Sequence, residues 1–342
     1  MIDEAALIAE LRERTQKASQ SWHEGAKVTS IEPLTGGTSS LTFTTRFDHV
    51  PAGDEVVVLK VAPPGLPPVR NRDVLHQGTV MRALAGRPGV LVPEVLFEDE
   101  GSPPEISPFL AMNLVAGECM EPILAAEPEE ARFGEYRERA FDMASVLASM
   151  HRLDPREIGL ADQPVVSIDE EINRWVRAYD TSPPHLQFNY TEVVDQLRSS
   201  IPEPVRPAVN HGDYRLGNTL CVGGQLRAVI DWEIWSVGDP RVDLAWMTFF
   251  CDDAGHPSKA SANPSGMPTR VELRQGYVDA GGEAFADMDW FDALTLFKEA
   301  ALTSLLIKRA EKSADAAMAE RMASFTPKLG WMLDMASAKL TR

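Results

Sequence analysis

Cysteine is scarce in this 342-residue chain. Only Cys119, Cys221 and Cys251 occur, an odd number with no C-x-x-C spacing. That pattern suggests neither a disulfide framework nor a cysteine-built zinc site. The seven histidines form no H-x-x-x-H pair, so no helix-borne metal site is indicated. Long apolar runs are missing too. No stretch approaches the ~18 apolar residues that a helical membrane span needs, so no membrane partner is expected. Positive charge is in short supply: 33 Lys and Arg stand against 51 Asp and Glu, a net charge of −18. Such a chain repels a phosphate backbone, so a nucleic-acid partner is not expected. The same acidity suits a cationic substrate, and it equally serves to keep a protein in solution.

The first twenty residues mix charges of both signs. They lack the basic, apolar and small-residue segments of a secretory signal, and the expectation is a soluble cytoplasmic protein. No internal repeat or low-complexity tract is visible, and nothing speaks to oligomeric state. What is present is ordinary globular material. The hydrophobic fraction of 44% supports a sizeable core, and the length suits two domains or two lobes of one fold.

Apolar periodicity divides the chain. Residues 3–20 read as a helix through Leu7, Ile8 and Leu11. Strand signals follow at 28–34, 41–47, 55–61, 92–97 and 109–115, with one helix at 73–84 ended by Gly86 and Pro88. Beyond about residue 120 the period changes to helical, at 128–152, 168–179, 190–200, 271–280 and 290–312. One non-helical island, 209–243, interrupts these helices. In it two short apolar runs, 219–222 and 226–230, are joined by Gly223-Gly224-Gln225, a hairpin signal. The expected fold is α+β and kinase-like in its two lobes. A β-rich N-lobe would cover 1–115 and a mainly helical C-lobe 116–342.

The island also carries the chemistry. It begins Asn210-His211-Gly212-Asp213-Tyr214-Arg215-Leu216-Gly217-Asn218, and after the hairpin reads Ile230-Asp231-Trp232-Glu233. Phosphoryl transfer from ATP needs a carboxylate that orients the attacking hydroxyl and accepts its proton, plus oxygen ligands that hold Mg²⁺ on the triphosphate. Asp213 and Asn218 have the D-x-x-x-x-N spacing of a kinase catalytic loop. A hairpin after Asn218 would return Asp231 beside it, and a carboxylate with an amide oxygen suits Mg²⁺. Alone, such a spacing is common, and Asp in a glycine-flanked loop is usually a turn residue. The ordered set of Asp213, Asn218, hairpin and Asp231 favours the catalytic reading. Asp239 and Asp243 read instead as caps and as partners of Arg241.

With the second run, VIDWEIWSVGDPRVDLAW, these motifs resemble the aminoglycoside phosphotransferase and choline-kinase-like superfamily. They are most similar to bacterial phosphotransferases akin to the kinase domain fused to some acyl-CoA dehydrogenases. The order of elements fits from about residue 26 to 310. The resemblance implies a protein-kinase-like fold, Asp213 as catalytic base, Asn218 and Asp231 as Mg²⁺ ligands, and a structural part for His211. It also implies a hinge in which backbone groups from Asn113 to Val115 bond adenine. Val58, Met112 and Leu220 would face the base, with core packing as the plain alternative.

Gly36, Gly37, Thr38, Ser39 and Ser40, between two strands, suit a phosphate-cradling nest and equally a simple hairpin turn. Lys60, late in a strand of β-branched residues, suits the bridge to nucleotide phosphates; the alternative is a guard on a sheet edge. One departure stands out. Aligned on residues 80–84, the helix that usually supplies an acidic partner for this lysine has Gln77 at the position. Asp73 lies one turn earlier, and either residue is a candidate partner.

The sequence thus reads as an ATP- and Mg²⁺-dependent phosphotransferase acting on the hydroxyl of a small, non-antibiotic metabolite. An aminoglycoside kinase and a nucleotide-binding pseudokinase are the alternatives. A protein kinase is disfavoured because neither D-F-G nor A-P-E occurs. A substrate wall is expected from Glu170, Glu171, Glu233, Asp252 and Asp253, with Trp175 and Trp235 among them.

Overall fold

The computed structural model describes residues 4–34, 40–251, 253, 255–259, 261–313 and 315–341. The first half is built on a five-stranded antiparallel sheet. Helix α1 (Glu4–Ala18) precedes β1 (Lys27–Pro33), β2 (Leu41–Asp48) and β3 (Val56–Val61), and helix α2 (Val74–Leu84) leads to β4 (Val95–Asp99) and β5 (Phe109–Asn113). The strand order is β1-β2-β3-β5-β4. Alternation along β3 sorts its two faces. Val57, Leu59 and Val61 pack with α1 residues Leu7 and Leu11, whereas Lys60 stands on the other face. Lys60 is there in register with Leu110, and Val58 with Met112.

The second half is helical around a small β insert. Helices α3 (Phe133–Arg152), α4 (Ile168–Asp180) and α5 (Tyr190–Ser199) are followed, after the insert, by α6 (Arg241–Phe249), α7 (Arg270–Asp279), α8 (Met288–Glu311), α9 (Ala316–Ala323) and α10 (Thr326–Leu340). The insert contains β7 (Ala208–Asn210), the hairpin β8 (Thr219–Val222) and β9 (Gln225–Val229), and β10 (Ser236–Gly238). Strand β10 runs antiparallel to β7 and parallel to β6 (Val165–Val166).

The mixed α+β class and the kinase-like arrangement agree with the sequence reading, and several bounds move. The helix expected at 128–152 starts at Phe133, because a 3₁₀ turn over Glu130–Arg132 precedes it. Helices α6, α9 and α10 were not expected. Helix α8 begins at Met288, two residues before the expected start, and is buried on nearly every side, from Trp290 to Ala310. Such a helix shows no polar stripe. No helix among the described residues is long and apolar enough to cross a membrane.

Three buried clusters make the core. One lies between α1 and the sheet. One surrounds α8 with residues of α4, α5, α6 and α10. The third joins the halves: Val80, Leu84 and Leu110 of the sheet side share it with Leu147, Val209, Tyr214 and Trp232. The loop carrying Asp213 sits at that junction.

Candidate active site

The loop after β7 is held by one buried carboxylate. Asp243, at the start of α6, is fully buried, and its oxygens accept the N–H groups of His211 at 2.5 Å and Gly212 at 2.9 Å. Burial raises its carboxyl above the ordinary range, while His211 and these two amides oppose the shift. Gly212 turns at φ +86, with its Cα side against the Ile234 carbonyl, where a side chain would collide. His211 is buried; one ring nitrogen meets the Ile230 carbonyl at 2.9 Å and the other accepts the Asp213 N–H at 3.2 Å. Its contacts are thus with the loop and the segment after β9. Asp239 pairs with Arg241 at 2.7 Å, as expected, but Asp243 grips the loop rather than Arg241.

Three side chains hold the Asp213 carboxylate. The Trp246 indole N–H donates to Oδ1 at 2.7 Å, Asn218 Nδ2 donates to Oδ2 at 2.7 Å, and Arg215 Nε lies 3.2 Å from Oδ1. Asn218 also donates to the Asp213 carbonyl at 2.9 Å, so its amide nitrogen is committed and its oxygen faces away from Asp213. The hairpin then does what its spacing implies. Thr219 pairs with Val229, and Ile230 N–H donates to the Asn218 carbonyl at 2.9 Å, which brings Asp231 beside the loop. Asp231 adopts φ +68, a left-handed conformation that an Asp tolerates better than most residues.

Lys60 reaches this cluster from the sheet. Its ammonium donates to Asp231 Oδ1 at 2.6 Å across 171 residues of sequence. Burial alone would raise the Asp231 carboxyl, but Lys60, with His211 and Arg215 behind it, holds the group below its usual range. The expected partners are occupied otherwise. Asp73 caps α2, accepting the His76 N–H at 3.0 Å. Gln77 is buried, and its Nε2 has no partner among the described residues. The acid that meets Lys60 is therefore Asp231, not a residue of α2.

The connector differs from expectation as well. Asn113 ends β5, and its N–H donates to the Glu94 carbonyl at 3.0 Å while its Oδ1 accepts the Glu94 N–H at 2.7 Å. That N–H is committed within the sheet. Val115, outside the strand, is half-buried. Val58, Met112 and Lys60 share one face of the sheet, by register, and Leu220 is partly buried on β8. Gly36, Gly37, Thr38 and Ser39 lie outside the described residues. So does Asp252 of the expected substrate wall. Glu170 closes a capping box with Ser167, Glu171 accepts the Trp175 indole N–H at 2.8 Å, and Asp253 pairs with Lys259 at 3.1 Å. Trp235 stacks on His76 and donates to its carbonyl. Glu170, Glu171 and Asp253 are thus engaged locally.

Other residues at the site carry no motif. Glu121, on the connector, accepts Gly217 N–H at 2.9 Å and Arg215 at 3.1 Å, tying the connector to the loop. Burial pushes its carboxyl up to about 7 against the pull of Arg215. Glu299 of α8 is raised to about 7 by burial, with the Thr303 hydroxyl opposing and Asp213 reinforcing. This raised value has a signed consequence. The folded protein keeps the Glu299 proton up to about pH 7, whereas an unfolded glutamate releases it near ~4.3. The Glu299 contribution to stability is thus largest below the unfolded value and falls as pH rises toward 7. Glu299→Gln should remove that fall, gaining about 1–3 kcal/mol at pH 8 and little at pH 4. Urea titrations across this range check it; a mutant-minus-parent difference flat with pH contradicts the assignment.

The fold has clear relatives. A solved structure from Ralstonia eutropha, described as a candidate aminoglycoside phosphotransferase, superposes with TM-score 0.73 at 23% identity, covering 100% of this chain and 99% of that one. Aminoglycoside 2'-phosphotransferase-IIIa in its GDP complex superposes at 0.61 and 15% identity, over 93% and 98% of the two chains. Acyl-CoA dehydrogenase family member 10 of Mus musculus is 24% identical over 84% of this chain, which spans only 28% of that protein. Residues 30–294, most of the chain, match the sequence profile of the APH group, and the chain belongs to the phosphotransferase enzyme family.

Proposed function

We propose that this protein transfers the terminal phosphoryl group of ATP to a hydroxyl of a small, non-antibiotic metabolite. The observation that carries the reading is the convergence of Asp213, Asn218, Asp231 and Lys60, from both halves of the chain, on one cluster. Asp213 receives the hydroxyl proton as the acceptor oxygen bonds to phosphorus and the bond from phosphorus to the ADP oxygen breaks. The ring of donors around Asp213 keeps its carboxylate aimed. Lys60 meets the phosphates once the nucleotide draws it from Asp231, and Gly36, Gly37, Thr38 and Ser39 are the proposed phosphate-binding residues. Gln77, on α2, is a further candidate, and backbone groups from Asn113 to Val115, other than the committed Asn113 N–H, bond the base.

The donor set fits a hard cation. Asn218 turns its oxygen away from Asp213, and the Asp231 carboxylate is held low and ionised by Lys60. Two oxygen donors would suit Mg²⁺, a hard cation that prefers oxygen ligands. When bound, the ion neutralises charge on the phosphates.

The likeness to the acyl-CoA dehydrogenase relatives supports a metabolite acceptor, and the net charge of −18 supports a cationic one as the alternative. ADP release measured with ATP–Mg²⁺ against a library of hydroxylated metabolites and aminoglycosides tests the reading. Asp231→Ala should abolish the Mg²⁺-dependent part of nucleotide affinity; unchanged affinity removes Asp231 from the metal site. A cationic acceptor steered by the acidic protein loses kcat/KM as salt rises, and a neutral one does not. Efficient, salt-sensitive turnover of an aminoglycoside overturns the choice of acceptor.

A further inference from the structure

Helix α8 buries a lysine beneath the loop. Lys298 is 3% exposed, and its ammonium donates to the Gly212 carbonyl. The same nitrogen lies 3.6 Å from the ring centroid of Trp246 and 5.3 Å from that of Trp175. Among the described residues it makes no direct ion pair. The carboxylates of Glu171, Asp213 and Asp243 surround it at longer range and oppose the effect of burial, which lowers its pKa. A buried ammonium without a paired acid is costly, and an apolar side chain of similar length would fill the space without that cost. The charge therefore needs a reason beyond packing.

Two of its three contacts supply one. Gly212 is the covalent neighbour of Asp213, and Trp246 is the donor to Asp213 Oδ1 at 2.7 Å. One ammonium thus fixes the backbone on one side of the carboxylate and the indole on the other. A cation on the ring face also draws electron density from the ring, which makes the indole N–H a stronger donor.

We propose that Lys298 is a positioning residue for Asp213, acting through the Trp246 indole and the Gly212 carbonyl. The proposal rests on Asp213 as the group that receives the acceptor's proton. Lys298→Met should lower the rate of ADP release roughly 10–10²-fold while the KM for ATP–Mg²⁺ stays within about twofold, since misplacement of the base affects the chemical step. A spectroscopic signature separates positioning from general support. The Trp246 indole N–H resonance, identified among the seven tryptophans by its loss in Trp246→Phe, should move upfield in Asp213→Asn and in Lys298→Met. A folded Lys298→Met with that resonance at its original position, or with full turnover, overturns the proposal. If Lys298→Met does not fold, Trp246→Phe decides. It keeps an aromatic ring, though a smaller one, and loses the N–H, so it should lower kcat about tenfold at constant KM, and an unchanged kcat overturns the proposal. If the parent protein neither binds ATP–Mg²⁺ nor releases ADP, the phosphotransfer reading fails. The indole resonance in Asp213→Asn and Lys298→Met then decides the positioning alone.

Discussion

Asp213→Asn is expected to lower turnover by roughly 10²–10⁴ while affinity for ATP–Mg²⁺ changes only a few-fold. The carboxylate accepts Trp246 N–H on one oxygen and Asn218 Nδ2 on the other. An amide of the same shape satisfies one of these donors and faces the second with its own N–H groups. It also cannot take a proton from the acceptor hydroxyl. Nucleotide affinity is carried elsewhere, by Lys60 and Asp231 under the assignment above. Nucleotide titration and single-turnover phosphoryl transfer, measured on one preparation, separate the two effects. A variant with near-parental turnover would remove Asp213 from the chemistry.

Asp243→Ala is expected to cost about 3–5 kcal/mol of folding stability. The substitution strands two buried amides, those of His211 and Gly212, each of which loses its only acceptor among the described residues. Unpaired buried donors cost about 1–3 kcal/mol apiece. It also removes one of the carboxylates that balance Lys298. Asp243→Asn retains one acceptor and should fall between the two. Equilibrium unfolding in urea reports the difference, and a loss below 1 kcal/mol would mean that the loop is anchored by other contacts.

Local spacing explains what was legible. Asn218 is five residues from Asp213, and the two-glycine hairpin sets the return to Asp231, so three members of the cluster follow from short-range rules. Lys60 was visible as a polar residue in an apolar strand, but its partner was not, because Asp231 lies 171 residues away. Glu121 and Lys298 were invisible for the same reason: they meet the loop across 94 and 86 residues, and neither belongs to a spacing pattern. Asp73 was misjudged because an acid before a helix serves the helix first, by capping its free amides. Part of the expected acidic wall has a similar explanation. Glu170 and Glu171 look like a charged face in sequence, yet one closes a cap and the other accepts from Trp175. Helix α8 was recognised but its start was not, since burial all round leaves no amphipathic edge to mark it.

The shared cluster at the junction has a consequence for how the protein melts. Val80, Leu84 and Leu110 complete a buried surface whose other side is Leu147, Tyr214 and Trp232. Separating the sheet from the helices exposes both sides at once, so neither half has a low-energy open form of its own. The molecule should behave as one cooperative foldon. Amide protons of β5 and of β7 should exchange through the same global opening, with the same denaturant dependence. A chain cut after residue 115 would leave two sticky remnants rather than two independent parts.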